Sequence, residues 1–383
     1  MSKLEELIQE LCPNGVEYRK IEEFVDYIQP AKYIVSDTKY DDSYNIPVLT
    51  AGQSFILGYT NENTGVYQAS KENPVIIFDD FTAGFHWVNF PFKVKSSAMK
   101  ILVQKENINF RYFYHLMGMI NYKSTEHTRL WIGTYSQFEV PIPPKEVQSE
   151  IVRILDNFTL LTAELTAELT ARKQQYEYYK KFLFKLEDVE MIPLKDLCFR
   201  VCSGGTPNTS KSEYYGGDIP WLRTQEVDFC CINNTEIKIT EAGLNNSSAK
   251  WIKENSVIVA MYGATVGKVA YTSIPLTTNQ ACCNLEINPE IANYKYVYYY
   301  LSSIYSYIKS LGQGSQTNIN AEIVKNLLIP TPCIEKQVEI VNLLDKFEEY
   351  CTDISKGLPA EIELRQKQYE YYRDKLLTFK ELE

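Results

Sequence analysis

Pro143-Pro144-Lys145-Glu146-Val147-Gln148-Ser149-Glu150-Ile151-Val152-Arg153-Ile154-Leu155-Asp156-Asn157-Phe158 orders the whole chain, because it occurs twice. Its Gln148, Glu150-Ile151-Val152, Ile154-Leu155-Asp156 and Phe158 return as Gln337, Glu339-Ile340-Val341, Leu343-Leu344-Asp345 and Phe347, behind Pro330-Thr331-Pro332. Further on, Gln175-Tyr176-Glu177-Tyr178-Tyr179-Lys180 matches Gln368-Tyr369-Glu370-Tyr371-Tyr372-Arg373. Weaker echoes precede each block: Ile46-Pro47-Val48-Leu49 with Ile219-Pro220-Trp221-Leu222, and Asn73-Pro74-Val75-Ile76-Ile77 with Asn255-Ser256-Val257-Ile258-Val259. A repeat of this kind sets the fold before any single element does. The chain reads as a variable unit (1–140), a helical unit (141–189), a second variable unit (190–329) and a second helical unit (330–383).

The helical units carry a heptad seam. In the first it runs through Ile151, Ile154, Phe158, Leu161, Leu165, Leu169, Tyr176, Tyr179, Leu183 and Leu186, with no Gly or Pro after Pro144 and many strong helix formers. The second repeats the pattern, but Gly357-Leu358-Pro359 interrupts it, and Pro359 is expected to kink or restart the helix. Two matching seams in one chain predict two long helices packed antiparallel on each other. The variable units instead show short β-rich runs, such as Val75-Ile76-Ile77-Phe78 and Val257-Ile258-Val259-Ala260, punctuated by Gly, Asn, Ser and Pro. Each closes on a helical stretch, Phe110 to Met119 and Tyr294 to Ile308. The fold class is α+β: two similar, loop-rich mixed domains alternating with two long coiled-coil helices, with an internal pseudo-twofold.

Motifs with catalytic potential fall away one by one. Gly263-Ala264-Thr265-Val266-Gly267-Lys268 is one residue short of a phosphate-binding loop and has Val269 where a magnesium-binding hydroxyl belongs, so it reads as a turn after a buried strand. Asp79-Asp80 lacks the further partners of a nuclease metal site, and His86, His115 and His127 lack zinc-ligand spacing. Neither a dinucleotide fingerprint nor a nucleophile elbow occurs, so no catalytic centre and no metal site are expected. Nine cysteines without a CxxC pair read as reduced thiols, and the absence of a signal segment or long apolar run predicts a cytoplasmic chain off the membrane. The net charge of −10 argues at first against a nucleic-acid partner. It is unevenly placed: residues 26–140 balance at −1 and 198–328 at 0, so the acidity lies mainly in the helical units and the first 25 residues.

Together these features resemble the specificity subunit of type I restriction-modification systems. The resemblance is carried by the alternation of domains and helices and by the Pro-x-Pro turns. It also rests on Leu11-Cys12-Pro13-Asn14-Gly15-Val16-Glu17-Tyr18, Trp131-Ile132-Gly133-Thr134-Tyr135-Ser136, Ser203-Gly204-Gly205-Thr206-Pro207, Ile219-Pro220-Trp221-Leu222-Arg223 and Thr278-Asn279-Gln280-Ala281. It implies a non-catalytic DNA reader whose two domains each recognise half of a split site on duplex DNA. It further implies partners, namely two modification (methyltransferase) subunits and ATP-dependent restriction subunits, which bring S-adenosylmethionine, ATP and Mg2+; this chain holds no cofactor. A type IIB-like system with fused subunits, a self-contained DNA-modifying enzyme and a pure coiled-coil scaffold are the competing readings.

Reading bases requires Arg or Lys for guanine, Asn or Gln for adenine, and donors for phosphates. The candidates in the first domain are Lys32, Gln53, His86, Trp87, Lys95, Arg129 and Tyr135. In the second they are Ser203, Thr206, Arg223, Gln225, Lys268, Gln280, Gln316 and Asn318. Each could equally be a solvated loop residue or a structural hydrogen-bonding group, while Trp131 and Trp221 read as core anchors. Neighbouring helix residues point about 100° apart. If Tyr179 and Tyr372 occupy the seam, Tyr178 and Tyr371 therefore offer aromatic surface, either for the modification subunits or to widen the intramolecular packing.

The helix also holds a tandem, Thr162-Ala163-Glu164-Leu165 followed by Thr166-Ala167-Glu168-Leu169, and the family resemblance assigns such units to spacing the half-sites. Four helical residues span about 6 Å, against about 3.4 Å per base pair. Deleting one unit is expected to shorten the spacer of the methylated site by about one or two base pairs; an unchanged spacer in the methylome of the deletion variant contradicts the assignment.

Overall fold

A computed structural model of the chain describes residues 2–52, 54–105, 108–120, 122, 128–312, 318–353 and 356–382. It divides into two compact units, Met1–Glu164 with Ile362–Glu383, and Leu165–Glu361. The division does not follow the four linear segments read from the sequence. The first long helix, Lys145–Phe182, contributes its first half to unit 1 and its second half to unit 2. The second helical segment breaks into Ile334–Thr352 and Leu358–Leu376, with Pro359 in the first turn of the restarted helix, where its missing N–H costs nothing.

Each unit contains a helix pair built from one half of each repeat. In unit 1, Phe158 stacks on Tyr372 with ring centroids 5.3 Å apart, and Ile154 and Leu376 line one cavity, so the two helices run antiparallel. In unit 2, Tyr179 stacks on Phe347 at 5.6 Å. The seam tyrosines are therefore Tyr179 and Tyr372, as the spacing predicts.

The two domains share one topology. Unit 1 has an antiparallel sheet in the order Val25–Ile28, Met99–Gln104, Val75–Asp79, Phe85–Val88, and a smaller sheet Ile56–Thr60, Ile46–Leu49, Lys93–Val94. In unit 2 the same arrangement recurs with one more strand in each sheet. The larger runs Cys198–Ser203, Cys282–Ile287, Val257–Ala260, Val269–Thr272, Cys231–Ile232, and the smaller Ile237–Ile239, Tyr215–Leu222, Leu276–Thr278, Trp251–Ile252. In both, the chain entering the domain pairs with the chain leaving it: Glu17–Lys20 with Glu139–Ile142, and Met191–Pro193 with Leu328–Pro330. The chain ends meet in unit 1, where Val16 N–H donates to Lys380 and Leu382 N–H to Val16.

The domain is fastened to its helices by the residues that made the repeat visible. The closing helices Phe110–Met119 and Tyr294–Ser303 are capped by Asn109 and Asn293. The backbone N–H of each cap donates to a buried glutamine on the long helix, Gln148 at 2.9 Å and Gln337 at 2.8 Å. The same glutamines donate to the Pro-x-Pro turns, at Pro143 (2.7 Å) and Pro332 (2.8 Å). Tyr112 and Tyr296 donate to Pro141 and Pro330 just upstream. Two turns further along each long helix, Asp156 binds Arg111 and His115, while Asp345 binds Lys295 and Tyr299. His115 is fully buried between Asp156 and the Tyr369 hydroxyl, and burial lowers its pKa against the opposing pull of Asp156. The abundant tyrosine is thus largely structural. Among the described residues no helix is long and apolar enough to cross a membrane, and all nine cysteines are free thiols.

Gln337→Leu leaves Asn293 N–H and the Ile291 and Pro332 carbonyls without their buried partner. The variant is expected to lose about 2–4 kcal/mol in the urea unfolding of unit 2; a loss under about 0.5 kcal/mol contradicts the latch.

Candidate nucleic-acid interface

The smaller sheet of each domain contains a parallel strand pair, and that pairing creates the candidate surface. In unit 2, Trp221 and Leu222 lie beside Thr277 and Thr278, so both strands end at the same edge and release Arg223-Thr224-Gln225 and Asn279-Gln280 side by side. Asn279 N–H donates to Leu222, which holds the two exits together. A third segment, Ser203-Gly204-Gly205-Thr206, arrives from the larger sheet: Gly205 N–H donates to Thr278 at 2.9 Å, and the Trp221 indole donates to Gly205 at 3.0 Å. A Cβ on Gly204 would lie 1.9 Å from the Thr278 carbonyl oxygen, so glycine is required here by close backbone approach. The hairpin turn 261–268 closes the surface, with the Thr265 hydroxyl donating to Thr224 and Gly263 N–H to Asn318.

Polar side chains on this edge are tied to one another. The Thr206 hydroxyl donates to Gln280 Oε1. Arg223 sits between Glu226 (3.8 Å) and Glu236 (2.5 Å), and Lys268 pairs with Asp228 at 2.7 Å. With its carboxamide oxygen turned inward, Gln225 accepts from both Arg223 terminal nitrogens, at 2.7 and 3.2 Å. Thr206, Arg223, Gln225, Gln280, Lys268 and Asn318 are therefore gathered on the loops at this edge. Ser203 is half-buried at the strand end opposite Cys283, and Gln316 lies outside the described residues.

Unit 1 repeats the geometry with different side chains. Val48 and Leu49 pair in parallel with Lys93 and Val94, and Lys95 N–H donates to Leu49. Lys95 is exposed, its amine 5.9 Å from the Tyr40 ring centroid. His86 stacks on Phe55 at 4.6 Å and donates from Nε2 to the Gly52 carbonyl, beside Gln53, which lies outside the described residues. Lys32 is exposed on the short helical turn Pro30–Tyr33, and Arg129, 55% exposed, approaches Asp80 at 3.8 Å.

Two candidates are corrected. Tyr135 is 1% exposed, packed against Phe78 and Trp131 with its hydroxyl directed at Met117, and belongs to the core. Trp87 alternates with His86 along its strand and packs instead on Phe110 and Tyr114 of the closing helix, under the Arg111 guanidinium. Period-two alternation already separates Trp87 from His86, whereas nothing in the sequence marks Tyr135 as buried. Trp131 and Trp221 are core anchors as expected.

The acidic pair is structural. Asp79 accepts from the backbone of Phe81 and Thr82, and Asp80 is buried beside Lys100, accepting from Trp131 N–H. The Gly263–Lys268 stretch is the hairpin turn the motif mismatch predicts. Sequence reading missed Glu226, Glu236 and Asp228, the partners of the two cations. It also missed Tyr262, 41% exposed on the hairpin turn, whose position directly before Gly263 was the available signal.

Two domains of one topology, latched alike to shared helices and presenting different side chains on the same strand ends, define a duplicated recognition scaffold. The chain belongs to the type I restriction modification DNA specificity family, whose model matches residues 13–172 and 186–364. It is 44% identical to the type I restriction enzyme EcoR124I/EcoR124II specificity subunit of Escherichia coli, across 99% of this chain and 97% of that one. A putative type I restriction enzyme specificity subunit of Haemophilus influenzae, S.HindORF215P, is 29% identical across 95% and 96%. Among solved structures, a chain from a study of complex assembly and conformational transition of the type I R-M system shares the fold, with a TM-score of 0.62, 14% identity and coverage of 96% and 98%. The S subunit from M. genitalium does so at 0.54 and 14%, across 95% and 97%.

Proposed function

We propose that this chain is the DNA-reading subunit of a type I restriction-modification complex and carries no chemistry of its own. Each domain reads one half of a bipartite site on duplex DNA, and modification and restriction subunits supply S-adenosylmethionine, ATP and Mg2+ chemistry. The observation that carries the reading is the duplicated strand-end surface, built on the same parallel strand pair and different in side chains, on a duplicated latch. A scaffold without a reading role has no use for such variation on a constant frame.

The long helix passes from unit 1 to unit 2 between Glu164 and Leu165, inside the Thr-Ala-Glu-Leu tandem. That placement supports a spacing role for Thr162 to Leu169. Tyr178 and Tyr371 are each 62% exposed beside their seam neighbours, and Tyr178 stacks on exposed Phe182 at 5.7 Å. Exposed aromatic surface at equivalent points of the repeat suits two modification subunits, one at each.

The two recognition domains are close to neutral in net charge, and in unit 2 Arg223 and Lys268 are paired within the chain. The isolated protein therefore binds duplex DNA no better than micromolar at physiological salt, and tight binding requires the modification subunits to contribute phosphate contacts. Electrophoretic shift titrations with and without those subunits test this; nanomolar specific binding by the isolated chain contradicts it. Replacing Tyr178 and Tyr371 by Ala is expected to weaken co-purification with the modification subunits while leaving the thermal unfolding of the chain within about 0.5 kcal/mol of the parent. Undiminished co-purification assigns the docking face elsewhere.

A further inference from the structure

We infer that Gln225 and Gln280 are the base-reading side chains of unit 2 and that they read adenine, with Arg223 and Thr206 acting as positioning residues behind them. The inference deepens the DNA-reading function and rests on it.

Placement comes first. Gln225 and Gln280 are both exposed, three and two residues beyond the ends of two hydrogen-bonded parallel strands, and therefore share one edge of one sheet. Their separation is fixed by backbone rather than by long flexible loops.

The cations on the same surface are engaged. Arg223 lies half-buried between Glu226 and Glu236, and Lys268 is held by Asp228. Guanine recognition in the major groove needs guanidinium or ammonium donors aimed at O6 and N7. Arg223 instead donates to Glu236 and to the inward-turned Gln225 oxygen, and its Nε lies 3.8 Å from the Glu226 carboxylate.

Each amide, in turn, is anchored from behind. Arg223 donates to the Gln225 oxygen, and Thr206 donates to Gln280 Oε1. The Gln280 oxygen, with one donor, keeps its second lone pair, while at Gln225 the longer 3.2 Å bond from Arg223 has to give way to free one; in both, the NH2 group keeps its outward donors. An N–H donor beside a carbonyl acceptor matches adenine N7 and N6 in the major groove. At Gln225 the donor-only guanidinium selects this face of the amide over its flipped form, at Gln280 the Thr206 hydroxyl fixes the position of the amide, and locking a side chain before contact removes part of the ordering cost of binding.

Comparison of the repeats separates readers from supports. Gln148 and Gln337, Asp156 and Asp345, and Asn109 and Asn293 recur because the fold needs them. The two strand ladders place Gly52 and Ser96 of unit 1 where unit 2 has Gln225 and Gln280, and Lys95 where it has Asn279. Positions that change on an unchanged frame are those expected to read different half-sites.

The test is methylome mapping of the full chain co-expressed with its modification subunits in a host lacking its own adenine methylation. Gln225→Ala and Gln280→Ala are each expected to relax one A·T position, both in the same half-site, lowering discrimination there about 10-fold and leaving the other half-site intact. Thr206→Val relaxes the Gln280 position, and Arg223→Met relaxes the Gln225 position. Gln280→Glu, which keeps the shape and replaces donors by an acceptor, shifts preference away from adenine. The inference is overturned by an unchanged motif, by a uniform loss of methylation without relaxation, or by relaxation at a G·C position or across both half-sites. A parent complex that methylates without a bipartite motif overturns the DNA-reading function itself, and the inference with it.

Discussion

A buried carboxamide joins three chain segments in each half of this protein. Gln148 and Gln337 accept from the backbone N–H that opens a closing helix and donate to the carbonyl of the turn that opens a long helix. The glutamines themselves are buried, so each satisfies backbone groups at the edge of the core whose loss of a partner would cost about 1–3 kcal/mol apiece. Hydrophobic contact alone would let a domain slide on its helix. Directional bonds from a side chain in the first turn of the helix fix the domain in both rotation and height. Asp156 and Asp345, two turns later, bind a second pair of side chains on the same closing helix and prevent pivoting about the first point. A domain that must present side chains to a fixed register of bases needs such a mount.

The second mount is not a copy of the first in every detail. His115, buried in unit 1, is replaced in unit 2 by Tyr299, whose hydroxyl lies 2.6 Å from both Asp345 and Glu348 and shares its one proton between them. Burial raises the pKa of Glu348, and Tyr299 is pushed far up by burial, with the two carboxylates adding to the effect. Both solutions supply a donor to the same aspartate, so the geometry of the latch is kept while its chemistry drifts. The strand-end residues behave differently, since they change in chemical kind.

The internal repeat made the architecture legible, because it relies on Gln, Asp, Asn and Pro residues whose spacing survives where the rest diverges. The seam spacing placed Tyr179 and Tyr372 correctly, and the restart at Pro359 followed from proline chemistry. The exchange of helix halves between units was not legible, because periodicity reports a face and not its partner. The candidate surface was legible by residue type only. Arg223 and Lys268 read as base-binding cations until their carboxylate partners, 3 to 40 residues away in sequence, came into contact. Tyr135 failed for a related reason, since an aromatic in a loop-like sequence gives no sign that a core closes over it. The acidic balance, in turn, belongs mainly to the scaffold and the first residues, and the two recognition domains are near neutral in net charge.

The central claim is that each domain is a separate reader carried on a common mount. Exchange of residues 198–327, between the second pair of entry and exit strands, for the matching segment of another specificity subunit tests it most directly, with both latch glutamines retained. Methylome mapping of the assembled hybrid should show a bipartite motif with one half replaced, the other half kept and the spacer unchanged. A hybrid that assembles and methylates with both halves altered, or with neither, would contradict the account.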